Sequence, residues 1–322
     1  MPLVILFAFE YKINHLPGAI IDLYHAHKWC QSFTSNIFVV TDITSNKRAE
    51  ELNQVVTRKI ADNSLVTFYD EIKRKIIISD ITSLRIAIRD ILTNIVNFDN
   101  KLIIYYTGHG VKDSLIMPDQ SLFSFVMFRD SILNLLAPYV ELFIILDCCH
   151  PLGLHLPYKL VDNRFVLASS KIECVSQPII LITSSDSHEK STSTRDGSIF
   201  TRRLFHMLSV MNKAYTIVCK NNKIFLSAHQ NRNLTRLSNS LATFIRKLDT
   251  GYAQTVSVYS SYVIDPVLWL WIGAIHKRDV VLDMSLSTFI IRETKNDDSL
   301  VRDLTIRDLS QDTVNIIYHD DE

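Results

Sequence analysis

Short continuous apolar runs alternate along this chain with longer stretches in which apolar residues recur at helical spacing. The runs at residues 3–9, 37–40, 102–106, 142–146 and 179–182 are rich in Ile, Leu, Val and Phe and show little alternation. Such runs predict strands buried on both faces of a parallel sheet. Between the first two, Ala19, Ile20, Leu23 and Ala26 predict a helix that opens at Leu16-Pro17-Gly18 and ends near Trp29 and Cys30. Leu84, Ala87, Ile88, Ile91 and Ile95 predict a strongly amphipathic helix, with Thr82 or Ser83 as its N-cap. Residues 46–60 favour helix, and residues 65–69 read as a short edge strand or extended loop. Further helices are expected at 128–136, 199–210 and 234–248, and further strands within 216–226 and over 256–262. This order of elements calls for an α/β fold, a doubly wound, mostly parallel sheet of six to eight strands with helices on both faces. No repeat, low-complexity run or Pro/Ser-rich linker divides the chain, so one domain over residues 1–275 and an extension of unknown role over 276–322 are expected.

Composition narrows the function classes. Lys+Arg and Asp+Glu both number 34, so no basic excess points to nucleic acid or an anionic membrane. The five cysteines are few and odd in number, which fits reduced thiols in a cytoplasmic protein better than a disulfide framework. The N-terminal run lacks a basic leader, and the run at 267–275 falls far short of the ~20 residues that span a bilayer. Seven glycines occur where average usage gives roughly 22, and two of the seven flank His109. The backbone there is expected to need an unusual conformation or a close approach by a ligand.

The chemistry sits at the ends of two runs. Residues 102–106 stop at Thr107-Gly108-His109-Gly110, and residues 142–146 stop at Asp147-Cys148-Cys149-His150. In parallel sheets ligands bind outside the carboxyl ends of strands, which places His109 and Cys149 in one crevice. A histidine can take the proton of a cysteine thiol and later protonate a leaving amine. The N–H groups of Gly110 and Cys149 could then form an oxyanion hole. Asp147, two residues before Cys149, would favour a basic substrate side chain. Two bland readings stand beside this one: an inert buried cysteine with a loop histidine, or a zinc site from Cys148, Cys149, His150 and His155. Cys148 itself is expected to point into the core.

Tyr106-Thr107-Gly108-His109-Gly110 resembles the Tyr-Ser-Gly-His-Gly motif of the metacaspases, which are caspase-like cysteine peptidases. Asp147-Cys148-Cys149-His150 resembles their Asp-x-Cys-His motif, and Leu156-Pro157-Tyr158 a segment just downstream. Leu16-Pro17-Gly18-Ala19-Ile20-Ile21-Asp22, Val40-Thr41-Asp42, Ser184-Ser185-Asp186 and the segment Gly197-Ser198-Ile199-Phe200-Thr201 are similar to further family segments, in the family's order. The resemblance covers about residues 3–274 and implies a caspase-like sheet. It implies a cysteine endopeptidase with Cys149 as nucleophile and His109 as base. It also implies a pocket of Asp22, Thr107 and Asp147 that accepts Arg or Lys of a protein or peptide substrate. Thr107 stands where the family usually has Ser and keeps the hydroxyl.

Two departures matter. Pro151-Leu152 replaces the usual Ser-Gly after His150, which raises an alternative: an inactive caspase-like module serving as decoy or scaffold. His109 and Cys149 are only 40 positions apart, 149 − 109, and Asp113, Asp119, Asp130 and Glu141 between them are scattered. The acidic loop associated with calcium in the family is therefore missing, and no metal or other cofactor is expected. Nucleic acid and membrane are not expected partners, and the chain is expected to be a monomer.

Overall fold

The computed structural model describes residues 2–44, 64–94, 100–150, 154–161, 164–168, 175–186, 188–220, 223–228, 254–262, 288–294, 302–307 and 316–319. Its contacts divide the chain into two units, Met1–Phe205 with Ile245–Val263, and His206–Phe244 with Ile264–Glu322. The boundary expected at residue 275 lies outside the described residues, as do the helices expected at 46–60 and 234–248.

The first unit opens with β1 (Leu3–Ala8), α1 (Ala19–Gln31), β2 (Ile37–Thr41), α2 (Ser64–Glu71), β3 (Lys75–Ile77), α3 (Ile81–Asn94) and β4 (Lys101–Thr107). A small antiparallel sheet follows, of β5 (Gly110–Val111), β6 (Ser114–Ile116) and β7 (Leu122–Ser124). Then come α4 (Phe125–Ser131), β8 (Glu141–Asp147), β9 (Tyr158–Val161), β10 (Arg164–Leu167) and β11 (Ile179–Thr183). The hairpin of β12 (Ser193–Thr194) and β13 (Gly197–Ser198) leads into α5 (Ile199–Ala214). In the second unit β14 (Tyr215–Lys220) and β15 (Lys223–Ala228) precede a return to the first unit through β16 (Ser257–Ser260). The second unit's sheet is completed by β17 (Thr288–Thr294), β18 (Arg302–Arg307) and β19 (Ile316–His319), in the order β14-β15-β17-β18-β19.

The main sheet has the order β10-β9-β16-β11-β8-β4-β1-β2-β3. From β3 to β11 every pairing is parallel, while β16, β9 and β10 extend the sheet antiparallel. This is the expected α/β architecture, with nine strands in place of six to eight. The extra strands come from short segments without a continuous apolar run, such as Tyr158–Val161, whose residues are only half-buried or exposed.

β1 is buried throughout, as are the last six residues of β4 and of β8, which accounts for their unalternating sequences. Their side chains nonetheless divide by parity. Leu3, Ile5, Phe7, Leu102, Ile104, Tyr106, Leu142, Ile144, Leu146 and Cys148 join one cluster with Leu84, Ile88 and Ile91 of α3 and Phe128 of α4. Tyr105, Thr107 and Asp147 alternate with that set and so face the other way, the face on which α1 packs against β1 and β4.

Two expectations are corrected. Residues 65–69 lie in α2, because Phe68 and Tyr69 bury at helical spacing with Ile72 and the Phe68 ring meets Tyr24 and His27 of α1 at 5.3 and 5.1 Å. Local β preference yields there to tertiary packing. The cap of α3 is Asp80 and not Thr82 or Ser83: Ser83 N–H donates to Asp80 Oδ1 at 2.8 Å, and Asp80 N–H to Ser83 Oγ at 3.2 Å. Among the described residues no helix is long and apolar enough to cross a membrane.

Candidate active site

β4 and β8 run parallel with Thr107 opposite Asp147, and Gly108 N–H donates to the Asp147 carbonyl at 3.2 Å. Both chains leave the sheet there, so His109 and Cys149 each lie two residues past the last paired position. The glycines flanking His109 are required by close approach, but of the protein's own atoms. A Cβ on Gly108 would stand 2.5 Å from the Tyr11 hydroxyl and 2.6 Å from that of Tyr106. A Cβ on Gly110 would stand 2.2 Å from the carbonyl oxygen of Cys149 and 3.0 Å from Cys148 Sγ. Gly197, with φ +89°, is the positive-φ glycine among the described residues, so neither Gly108 nor Gly110 adopts the left-handed conformation.

His109 is held by the loop between β1 and α1. Its Nε2 bonds the carbonyl oxygen of Asn14, and its ring lies 4.6 Å from that of Tyr11 at an interplanar angle of 38°. A carbonyl can only accept, so Nε2 carries the proton in the neutral ring and Nδ1 carries the lone pair. The Cys149 thiol, half-buried, donates to the carbonyl of Ser191 at 3.8 Å and is not hydrogen-bonded to the imidazole. Catalytic hydrogen bonds are often open in ligand-free sites and close around substrate. Around Cys149, Ser184 and Ser185 hydroxyls donate to the Cys148 carbonyl at 3.3 and 3.1 Å, and His150 N–H donates to the Glu189 carbonyl at 3.0 Å. Gly110 pairs with Leu115, next to the hydrogen-bonded pair His109–Ile116, so ladder alternation leaves its N–H outside the β5–β6 bonds.

The three residues expected to form a pocket do come together on the α1 face. The Thr107 hydroxyl donates to Asp22 Oδ2 at 3.1 Å, and Ser198 N–H donates to Asp22 Oδ1 at 2.7 Å. Asp147 accepts from the Ser191 hydroxyl at 2.9 Å and from the Thr201 hydroxyl, which is itself 2.7 Å from the Tyr105 hydroxyl. Burial pushes the Asp22 carboxyl well above the ordinary carboxylate range, and the charge of Asp147 pushes it further. Burial likewise raises Asp147, against the lowering effect of its hydroxyl donors. Burial thus disfavours the charged form of both carboxyls.

The four candidate zinc residues are not gathered. Cys148 is buried in the core, as expected, and the ring of His155 packs edge-on against Phe125 at 4.9 Å. Among the described residues no group of three or more His, Cys, Asp and Glu could hold a metal ion. Pro151-Leu152 lies outside the described residues. Sequence reasoning missed Tyr11, Asn14 and Ser191. Asn14 acts through its carbonyl, which every residue type has, so no side-chain pattern could have marked it. Thr201 falls within the segment Gly197-Ser198-Ile199-Phe200-Thr201, but its bond to Asp147 joins positions 54 residues apart that no local pattern links.

A family model, the caspase domain of Peptidase_C14, matches residues 77–264, more than half of the chain. The match takes in Thr107, His109, Gly110, Asp147 and Cys149 and leaves Asp22 outside. No curated protein matches the chain. Among solved structures, caspase-1 from Spodoptera frugiperda aligns at 13% identity with a TM-score of 0.45, over 81% of this chain and 86% of that one. A protein from Geobacter sulfurreducens aligns at 10% identity with a TM-score of 0.47, over 82% and 95%.

Proposed function

The chain belongs to the caspase-domain family, and from that premise we propose that it is a metacaspase-like cysteine endopeptidase that cleaves after Arg or Lys. The observation that carries this reading is the pair of strand ends: a half-buried thiol at one, and at the other an imidazole whose proton is fixed on Nε2 by the Asn14 carbonyl. Nδ1 of His109 then accepts the thiol proton, and the Cys149 sulfur attacks the scissile carbonyl carbon. The oxygen that becomes negative is received by the N–H groups of Gly110 and Cys149. His109 returns the proton to the leaving amine as the C–N bond breaks, leaving a thioester. Water, deprotonated by His109, hydrolyses the thioester and restores the thiol.

The carboxyls of Asp22 and Asp147, with the Thr107 hydroxyl between strand and helix, are the groups that a guanidinium or ammonium would meet, and its positive charge would favour their ionised form. Calcium has no part in this scheme, given the short span between His109 and Cys149 and the scatter of its carboxylates.

The test uses fluorogenic peptides ending in Arg, Lys or Asp, with wild type, Cys149→Ala and His109→Ala, with and without calcium. Cleavage after Arg or Lys that both substitutions abolish is the expected result. Silence with every peptide would overturn the enzyme assignment, and cleavage after Asp alone would overturn the pocket.

A further inference from the structure

The loop that joins β1 to α1 meets His109 at three points. Tyr11 is 2% exposed, and its hydroxyl accepts the His109 N–H at 2.8 Å. The same hydroxyl donates to the Ile116 carbonyl at 2.8 Å and lies 3.0 Å from the hydroxyl of Tyr106. Tyr106 in turn donates to the His109 carbonyl at 2.7 Å. Both backbone groups of His109 are therefore clamped by tyrosine hydroxyls, with Gly108 fitted between them. The imidazole is held from the same loop, by the Tyr11 ring on its face and by the Asn14 carbonyl at Nε2.

Tyr11 is itself anchored. The two oxygens of Asp42, at the end of β2, accept the N–H groups of Glu10 and Tyr11, each at 2.8 Å. Leu16 N–H closes the loop onto the Glu10 carbonyl at 2.8 Å. Tyr11 and Asn14 adopt left-handed backbone, φ 59° and 55°, which non-glycine residues adopt only where the surroundings fix them. A side chain buried, anchored and bonded in this way constrains both the backbone and the ring plane of its neighbour.

We propose that Tyr11 is a positioning residue for His109: its hydroxyl fixes the His109 backbone and its ring fixes the imidazole plane, so that Nδ1 faces the thiol of Cys149. The inference rests on the His109–Cys149 reading above. The hydroxyl and ring of Tyr11 meet His109, Tyr106 and Ile116, and the residue acts through His109. Burial also raises its hydroxyl pKa, so it stays protonated as a donor while His109 works.

The experiment follows alkylation of Cys149 by iodoacetamide as a function of pH, in wild type, His109→Ala, Tyr11→Phe and Tyr11→Leu, alongside kcat and KM on an Arg-ending peptide. His109→Ala should change the pH profile of Cys149 alkylation. If it does not, the His109–Cys149 reading fails. Tyr11→Phe, which keeps the ring, should move the profile part of the way and lower kcat about tenfold with KM unchanged. Tyr11→Leu should lower kcat roughly a hundredfold. If His109→Ala moves the profile and the folded Tyr11 variants leave it and kcat as in wild type, the proposal is overturned. Should the variants not fold, the His109 ring protons of the wild type decide by NMR. An upfield ring-current shift supports the tilted contact of the two rings, and its absence overturns it.

Discussion

Ser191 touches Cys149 and Asp147 with different groups: its carbonyl accepts the thiol at 3.8 Å, and its hydroxyl donates to the Asp147 carboxyl at 2.9 Å. One residue thus links Cys149 to Asp147, and the two links can be separated. Alanine keeps the carbonyl and removes the hydroxyl. Because that hydroxyl is one of the groups lowering the Asp147 pKa, Ser191→Ala should raise it further. We expect kcat/KM for an Arg-ending peptide to fall about tenfold, mostly through KM and most steeply at acid pH. Steady-state kinetics across pH check this, and a loss confined to kcat would contradict it.

The buried carboxyls also set a stability cost. An acid whose folded pKa is raised favours the fold while protonated and weakens it once ionised. The penalty is absent below the ordinary carboxylate value of about 4 and complete above the folded value. Asp22 is raised by burial and by Asp147, so at neutral pH its ionisation opposes folding. Asp22→Asn should therefore melt several degrees higher than wild type at neutral pH, with the gain shrinking as pH falls toward about 4. Cleavage after Arg should drop at least tenfold in the same variant. Thermal melts over a pH series, with peptide kinetics, test both halves; a variant less stable than wild type at neutral pH would refute the first.

Gly108 and Gly110 should fail differently when given a methyl group. At Gly108 the obstacles are the Tyr11 and Tyr106 hydroxyls, 2.5 and 2.6 Å away, which can retreat only by releasing the His109 backbone. At Gly110 the obstacle is the Cys149 carbonyl, 2.2 Å away, and backbone cannot yield without displacing the nucleophile. Each alanine variant should cost about 2–4 kcal/mol of stability. Gly110→Ala should also change the reactivity of Cys149 toward iodoacetamide more than Gly108→Ala does. Denaturant melts and labelling rates measure the two effects.

The buried strands were legible because a residue covered on both faces must be apolar whatever its neighbours. The unalternating runs at residues 3–9, 102–106 and 142–146 carry that constraint in their composition. The nearness of His109, Asp147 and Cys149 to one end of the sheet was legible for a related reason: residues placed at or just past the ends of adjacent parallel strands lie at the same edge. Residues 65–69 were misread because their helix is stabilised by the Phe68 ring on α1, a contact no local window contains.

By itself, then, the chain determined the strand core and the placing of His109 and Cys149 just past two neighbouring strands; Asp22 was marked only through the family resemblance. Only the tertiary structure decided what holds them. The Asn14 carbonyl on His109, the Ser191 carbonyl on Cys149 and the Asp42 oxygens under Tyr11 join positions 95, 42 and 31 residues apart. Two of these act through backbone groups that every residue shares, and the third through a loop whose path is set by folding. Sequence marks which groups can react; folding sets the distances between them.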